Sequence, residues 1–190
     1  MFGVSLGIMD GAGGAAGGSF EPIQTLTAAG GETSLSFTSI PSTYKHLQIR
    51  GISRDTTAST GDSAVVLQLN SDTGSNYSTH RVNTYGATPS INVQGFANYP
   101  YVFLPAQPND STTANAFMAV IIDIHDYAST TKNKTVRLVG GTETNQTSSS
   151  GNGFGSGAWY SLSAVTSVQI KANTTSFKSG STFALYGIKG

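Results

Sequence analysis

From residue 21 onward the chain is written as short stretches of alternating apolar and polar residues, separated by clusters of Gly, Asn, Asp, Ser and Thr. A period of two puts every second side chain on one face of a strand, whereas a helix needs apolar residues three and four apart. No segment sustains the helical spacing between caps. Residues 23–27 and 33–37 alternate at Ile23, Thr25, Thr27 and at Leu35, Phe37 around an Ala-Ala-Gly-Gly-Glu stretch, which reads as a hairpin. Residues 44–53 follow, with Leu47, Ile49 and Gly51 on one face. Residues 64–69 carry Val65, Leu67 and Leu69 on one face. Residues 99–104 and 116–124 are apolar on both faces, as strands near the middle of a sandwich are. Residues 135–139, 161–172 and 182–188 complete the series. The expected architecture is all-β: an antiparallel β-sandwich, jelly-roll-like, over residues 21–190.

Two regions stand outside this rhythm. Residues 1–20 form a Gly-rich N-terminal arm, modestly apolar at Phe2, Val4, Leu6 and Ile8 and then running through Gly-Ala-Gly-Gly-Ala-Ala-Gly-Gly. Glycine loses the most entropy on ordering, so such an arm gains order by lying on a neighbouring subunit. It is expected to be extended and to serve as an assembly anchor. Residues 141–157 are of low complexity and read as a long loop, a length usually tied to function.

Composition narrows the partners. Charged residues make up 11% of the chain, with 10 Lys and Arg against 10 Asp and Glu, where about 25% is usual. A nucleic-acid binder needs a basic stripe to neutralise phosphates, and none is present. Cysteine is absent, which removes disulfides, thiolate nucleophiles and Cys-based metal sites. No apolar stretch is long enough to span a bilayer. The N-terminus has no Lys or Arg ahead of its apolar residues and is interrupted by Asp10, so it reads as a poor secretory signal.

Convergent chemistry is sparse. The histidines are His46, His80 and His125, and the run Asp123-Ile124-His125-Asp126 puts Asp123 and His125 on one strand face, which would supply part of a metal site. A polar end to a buried strand is the plainer reading. Gly61-Asp62-Ser63 matches the start of an esterase motif whose α/β setting is missing here. Residues 70–76 have oxygen-bearing side chains at alternating positions, Asp72 among them, but lack the Glu of a calcium loop and read as a polar turn. The sequons at Asn76, Asn109, Asn133, Asn145 and Asn173 follow from composition. Aromatics near expected loops, chiefly Phe154, Trp159 and Tyr160, are candidates for an interface or for stacking on glycans. The expectation is a protein that is not an enzyme, with no cofactor and no metal.

One resemblance adds to this reading. The run Tyr44-Lys45-His46-Leu47-Gln48-Ile49-Arg50-Gly51 with Arg54, then Leu67-Gln68-Leu69-Asn70 and Asp72-Thr73-Gly74-Ser75-Asn76-Tyr77, is similar to small virion proteins of tailed bacteriophages. Asp123-Ile124-His125-Asp126-Tyr127, Lys132-Asn133-Lys134-Thr135 and the ending Gly180-Ser181-Thr182-Phe183-Ala184-Leu185-Tyr186-Gly187-Ile188 extend it over most of residues 40–190. The arm is not part of it. The resemblance implies a structural component of the virion, either a capsid decoration or cement subunit or a tail-fibre or receptor-binding subunit. Implied partners are other virion proteins and copies of the chain itself, a trimer being favoured, with host glycans for the fibre reading and neither nucleic acid nor membrane. A carbohydrate-binding module or enzyme of sandwich fold is the third class.

Overall fold

The computed structural model describes residues 19–85, 90–146 and 151–190. The anchor residues Phe2, Val4, Leu6 and Ile8 lie outside the described residues. Along the chain run β1 (Phe20–Thr27), β2 (Ser34–Phe37), β3 (His46–Ser53), β4 (Asp62–Ser63), β5 (Val65–Leu69), β6 (Tyr77–Tyr85) and β7 (Ser90–Tyr99). They are followed by β8 (Val102–Phe103), β9 (Gln107–Pro108), β10 (Met118–His125), β11 (Lys134–Thr142), β12 (Gly151–Trp159), β13 (Val168–Ala172) and β14 (Thr182–Ile188). No helix occurs among the described residues.

The strands form an eight-stranded sheet in the order β1-β14-β3-β10-β11-β12-β6-β7, a four-stranded sheet β2-β13-β5-β8 and the short pair β4-β9. All the pairings are antiparallel. One core joins the two larger sheets. Leu47, Ile49, Ile122, Ile124, Phe183 and Leu185 enter it from the wide sheet, and Phe37, Leu67, Leu69 and Ile170 from the narrow one. Alternation drives this packing: in β10 Met118, Val120, Ile122 and Ile124 are buried, while Ala119 and Ile121 face out. The chain is therefore all-β and antiparallel. Sheets of eight and four strands do not establish the jelly-roll connectivity expected from the sequence.

Several expected elements are corrected. Residues 23–27 and 33–37 do not form a hairpin, because β1 pairs with β14 and β2 with β13, in different sheets. The intervening chain crosses between the sheets, with Gly30 and Gly31 both at positive φ and the Glu32 carboxylate accepting from the backbone N–H groups of Ala29 and Gly30. The long loop over 141–157 is largely a hairpin: β11 and β12 pair from Lys134↔Trp159 to Thr142↔Gly151. The strand over 161–172 shortens to β13, since the Asn70 side chain accepts from the N–H groups of Thr166 and Ser167 and diverts that segment. The strand over 99–104 shortens to β8, and β6 and β7 are strands that the apolar pattern did not mark.

Two polar networks fix the frame. Arg54 is 2% exposed. Its Nη1 donates to the carbonyls of Thr113 and Ala116 at 2.8 and 2.6 Å, and its Nη2 to those of Asp110 and Thr112 at 2.9 and 3.2 Å. This guanidinium holds residues 110–116, the segment that feeds inner strand β10. The second network gathers on Asp72, whose carboxylate accepts from the Gly74 N–H, the Asn76 amide and the indole N–H of Trp159 at 2.8, 2.9 and 2.7 Å. The Trp159 bond is the main cause that lowers the Asp72 pKa. Three N–H donors engage most of the acceptor sites of this carboxylate and close residues 70–76 into a tight polar turn. Trp159→Phe is expected to cost about 1–2 kcal/mol through the lost charge-assisted bond, read as a lower urea midpoint at unchanged m-value.

Candidate functional site

The parity of each strand decides what the wide sheet shows to solvent. On its outer face the register lines up Arg50↔Ile121↔Val139↔Phe154↔Val82↔Val93 across β3, β10, β11, β12, β6 and β7. Five of these six side chains are apolar, and Ile121, Val139, Phe154 and Val93 are 40, 52, 61 and 75% exposed. The result is an apolar track running across the strands.

One flank of the track is polar as far as β6, in the row Gln48↔Asp123↔Arg137↔Ser156↔His80, and ends at Gly95 on β7. Asp123 accepts from the Gln48 amide at 2.8 Å and from Arg137 Nη2 at 2.8 Å. Those two bonds oppose the cost of its partial burial and leave its pKa lowered. The other flank carries Ile52, Ala119, Gly141 and Asn152 in register, with Ile91 at the β7 end 72% exposed. Thr84 Oγ1 donates to Asn152 Oδ1 at 2.6 Å on this side. Two open hollows lie along the face. One of about 700 Å³ lies between His80, Arg137 and Phe154, and one of about 800 Å³ lies between Arg50, Ile52, Val139 and Tyr186.

The candidates from the sequence are dispersed by this geometry. Phe154 sits in the middle of the track. Trp159 is an odd number of residues further along the same strand and therefore points inward, 3% exposed, stacked on Tyr77 at 6.2 Å. It is not available to a glycan or a partner, and the expectation for it is corrected. Tyr160 lies just beyond β12, 57% exposed, with its hydroxyl 3.1 Å from Ser78 Oγ. Asp123 and His125 do share the outer face as the sequence implies, but Asp123 is committed to Gln48 and Arg137. His125 instead meets His46 edge to face at 5.0 Å. Burial and the neighbouring His125 lower the His46 pKa, in keeping with its Nδ1 accepting from the Asp126 N–H at 3.0 Å. Among the described residues no three His, Asp or Glu side chains converge on a point that would hold a metal ion. Ser63 donates to Asn109 Oδ1 at 2.6 Å. With its hydroxyl given to an amide oxygen rather than to a histidine, it has no general base.

No family model, curated protein or solved structure matches this chain. What the face can do follows from its own residues. The main candidates that sequence reasoning missed, Ile121, Val139, Val82 and Val93, are neighbours only across strands. The one local signal for β12 is its glycine at every second position from Gly151 to Gly157. That spacing places the small residues together on the inward face, where a Cβ at Gly157 would come within 2.6 Å of the Val102 side chain.

Proposed function

We propose that this chain is a non-enzymatic structural subunit of a tailed-phage virion, of the capsid decoration or cement type, anchored to its neighbours by the N-terminal arm. The observation that carries the reading is the apolar track on the wide sheet. Contiguous exposed apolar surface rimmed by polar residues marks an interaction site, and β7 adds an edge strand whose Ile91 and Val93 are the most exposed large apolar residues described. An edge strand with exposed apolar side chains is an aggregation hazard for a free monomer and an asset for a subunit. Zero net charge supports the same reading, since it favours association. The resemblance to virion proteins supplies the setting.

A tail-fibre or receptor-binding subunit, trimeric, is the second reading. It is favoured by Phe154, which stands exposed in the hollow it shares with Arg137 and His80, in the manner of a sugar platform. Two assays separate the readings. Immunodetection of the chain in purified particles supports both, and its absence from particles refutes both. Binding of the purified chain on a glycan array supports the fibre reading, and an array without signal supports the cement reading.

A further inference from the structure

The apolar track is narrow and long. Four strand steps separate Ile121 on β10 from Val93 on β7, about 19 Å at ~4.8 Å per step. In the middle it is one row of side chains wide, between Asp123, Arg137, Ser156 and His80 on one side and Gly141, Asn152 and Thr84 on the other, and it widens at its ends through Ile52, Ala119 and Ile91. The row itself covers on the order of 200 Å², and even with the wider ends the apolar area stays below the ~800 Å² per partner of a standard stable interface. A second globular face is therefore a poor match. A single extended segment with one apolar side is a good one.

The chain itself carries such a segment outside the described residues. Phe2, Val4, Leu6 and Ile8 alternate with Gly3, Ser5 and Gly7. Drawn out as a strand, they would present four apolar side chains along about 20 Å at ~3.3 Å per residue. That length equals the track. No charged side chain occurs before Asp10, so the arm would bring none to be desolvated on docking. The entry of the chain into β1 decides which copy supplies the segment. The Lys189 N–H donates to the Ser19 carbonyl at 3.1 Å, continuing the β1-β14 ladder beyond Phe20↔Ile188. Phe20 is in the row of His46, two rows short of Arg50 and the track. Traced back from Phe20 to Ser19, the chain heads away from the row of Arg50. The arm of the same chain would reach the track only by turning back within residues 9–18, a turn that the arm of another copy does not need.

We infer that the track on the outer face of the wide sheet is the receptor for residues 2–8 of a second copy of this chain, so that subunits are linked by donated arms. The inference deepens the assembly reading of the same face and rests on it. Its test is made on the purified full-length chain, so a negative result leaves the particle assays to be decided separately. Because the chain contains no cysteine, engineered thiols report contacts without background. A tagged Leu6→Cys chain is mixed with an untagged Val139→Cys chain, oxidised mildly and run on a non-reducing gel. The expected result is a tagged–untagged cross-link at least fivefold above that with Ser36→Cys, an exposed position on the narrow sheet. Phe154→Cys is expected to repeat it at a second point of the track, and circular dichroism confirms that each variant is folded. Equal cross-linking to Ser36→Cys would overturn the inference. So would a Leu6→Cys/Val139→Cys double variant that closes on itself at monomer mass.

Discussion

Replacing Arg54 with Met is expected to remove about 3–5 kcal/mol of folding stability, the cost of breaking a buried charged network by deleting one partner. The fold offers that guanidinium four carbonyl oxygens, from Asp110, Thr112, Thr113 and Ala116. Its Nε lies 3.6 Å from the Asp110 carboxylate. Met fills much of the volume and leaves the carbonyls without donors, each costing ~1–3 kcal/mol where water cannot replace them. The segment they belong to leads directly into Met118, the first residue of β10, so the damage reaches the centre of the wide sheet. A domain of this size has ~5–15 kcal/mol in total, so the variant is expected to unfold at low urea or to be recovered unfolded. Lysine is a useful control: it keeps the charge but cannot span four carbonyls with one ammonium group, and most of the loss should persist. Urea unfolding followed by tyrosine and tryptophan fluorescence reads both. A shift below about 1 kcal/mol for Arg54→Met would show that these bonds are dispensable.

Gly51→Val is expected to be damaging for a different reason. Gly51 is on the inward side of β3, paired with Val120 and Phe183. A Cβ added there would come within 2.1 Å of the Phe183 ring, itself fully buried and packed edge to face on Phe177 at 5.8 Å. The ring covers the glycine, so a side chain at this position must expel a core aromatic. Overpacking of this kind costs about 1–3 kcal/mol, and more where a buried ring has to leave its place. Phe183→Leu in the same background should recover part of the loss, because the shorter side chain gives back space over the strand. Thermal unfolding of the single and double variants gives the coupling. If Gly51→Val melted within a degree or two of the parent, this account of the core would be wrong.

The fold was legible where burial is two-sided or strictly alternating. Residues 47–52, 65–69, 118–124 and 182–188 announce themselves by their apolar period, and they are the strands that line the shared core. β6 and β12 were not, because small and polar residues stand where their inward faces meet β8 of the opposite sheet. Tyr77–Tyr85 presents Thr79 and Asn83 to the interior, and Gly151–Trp159 presents glycine. Polar strands of this kind look like loops to any reading based on hydrophobicity. The hairpin expected around Ala29 to Glu32 failed because local turn chemistry sets a reversal but not which strand is met next.

The candidate site was harder still to read. Ile121, Val139 and Phe154 are remote in the chain and become neighbours only through register, which no local window contains. Trp159 shows the reverse error: an aromatic next to glycines suggested exposure, while strand parity sent it to the core. The same parity put Phe154 on the surface, as expected.

The central claim is that the outer sheet face and the arm exist for repeated association within a virion. Copy number tests it most directly. Quantitative mass spectrometry of purified particles, scaled to the major capsid protein, is predicted to find this chain in numbers on the order of hundreds, following capsid symmetry. A small multiple of three or six would place it in the tail or fibre instead. Absence from particles, with the chain recovered free and monomeric, would contradict the account.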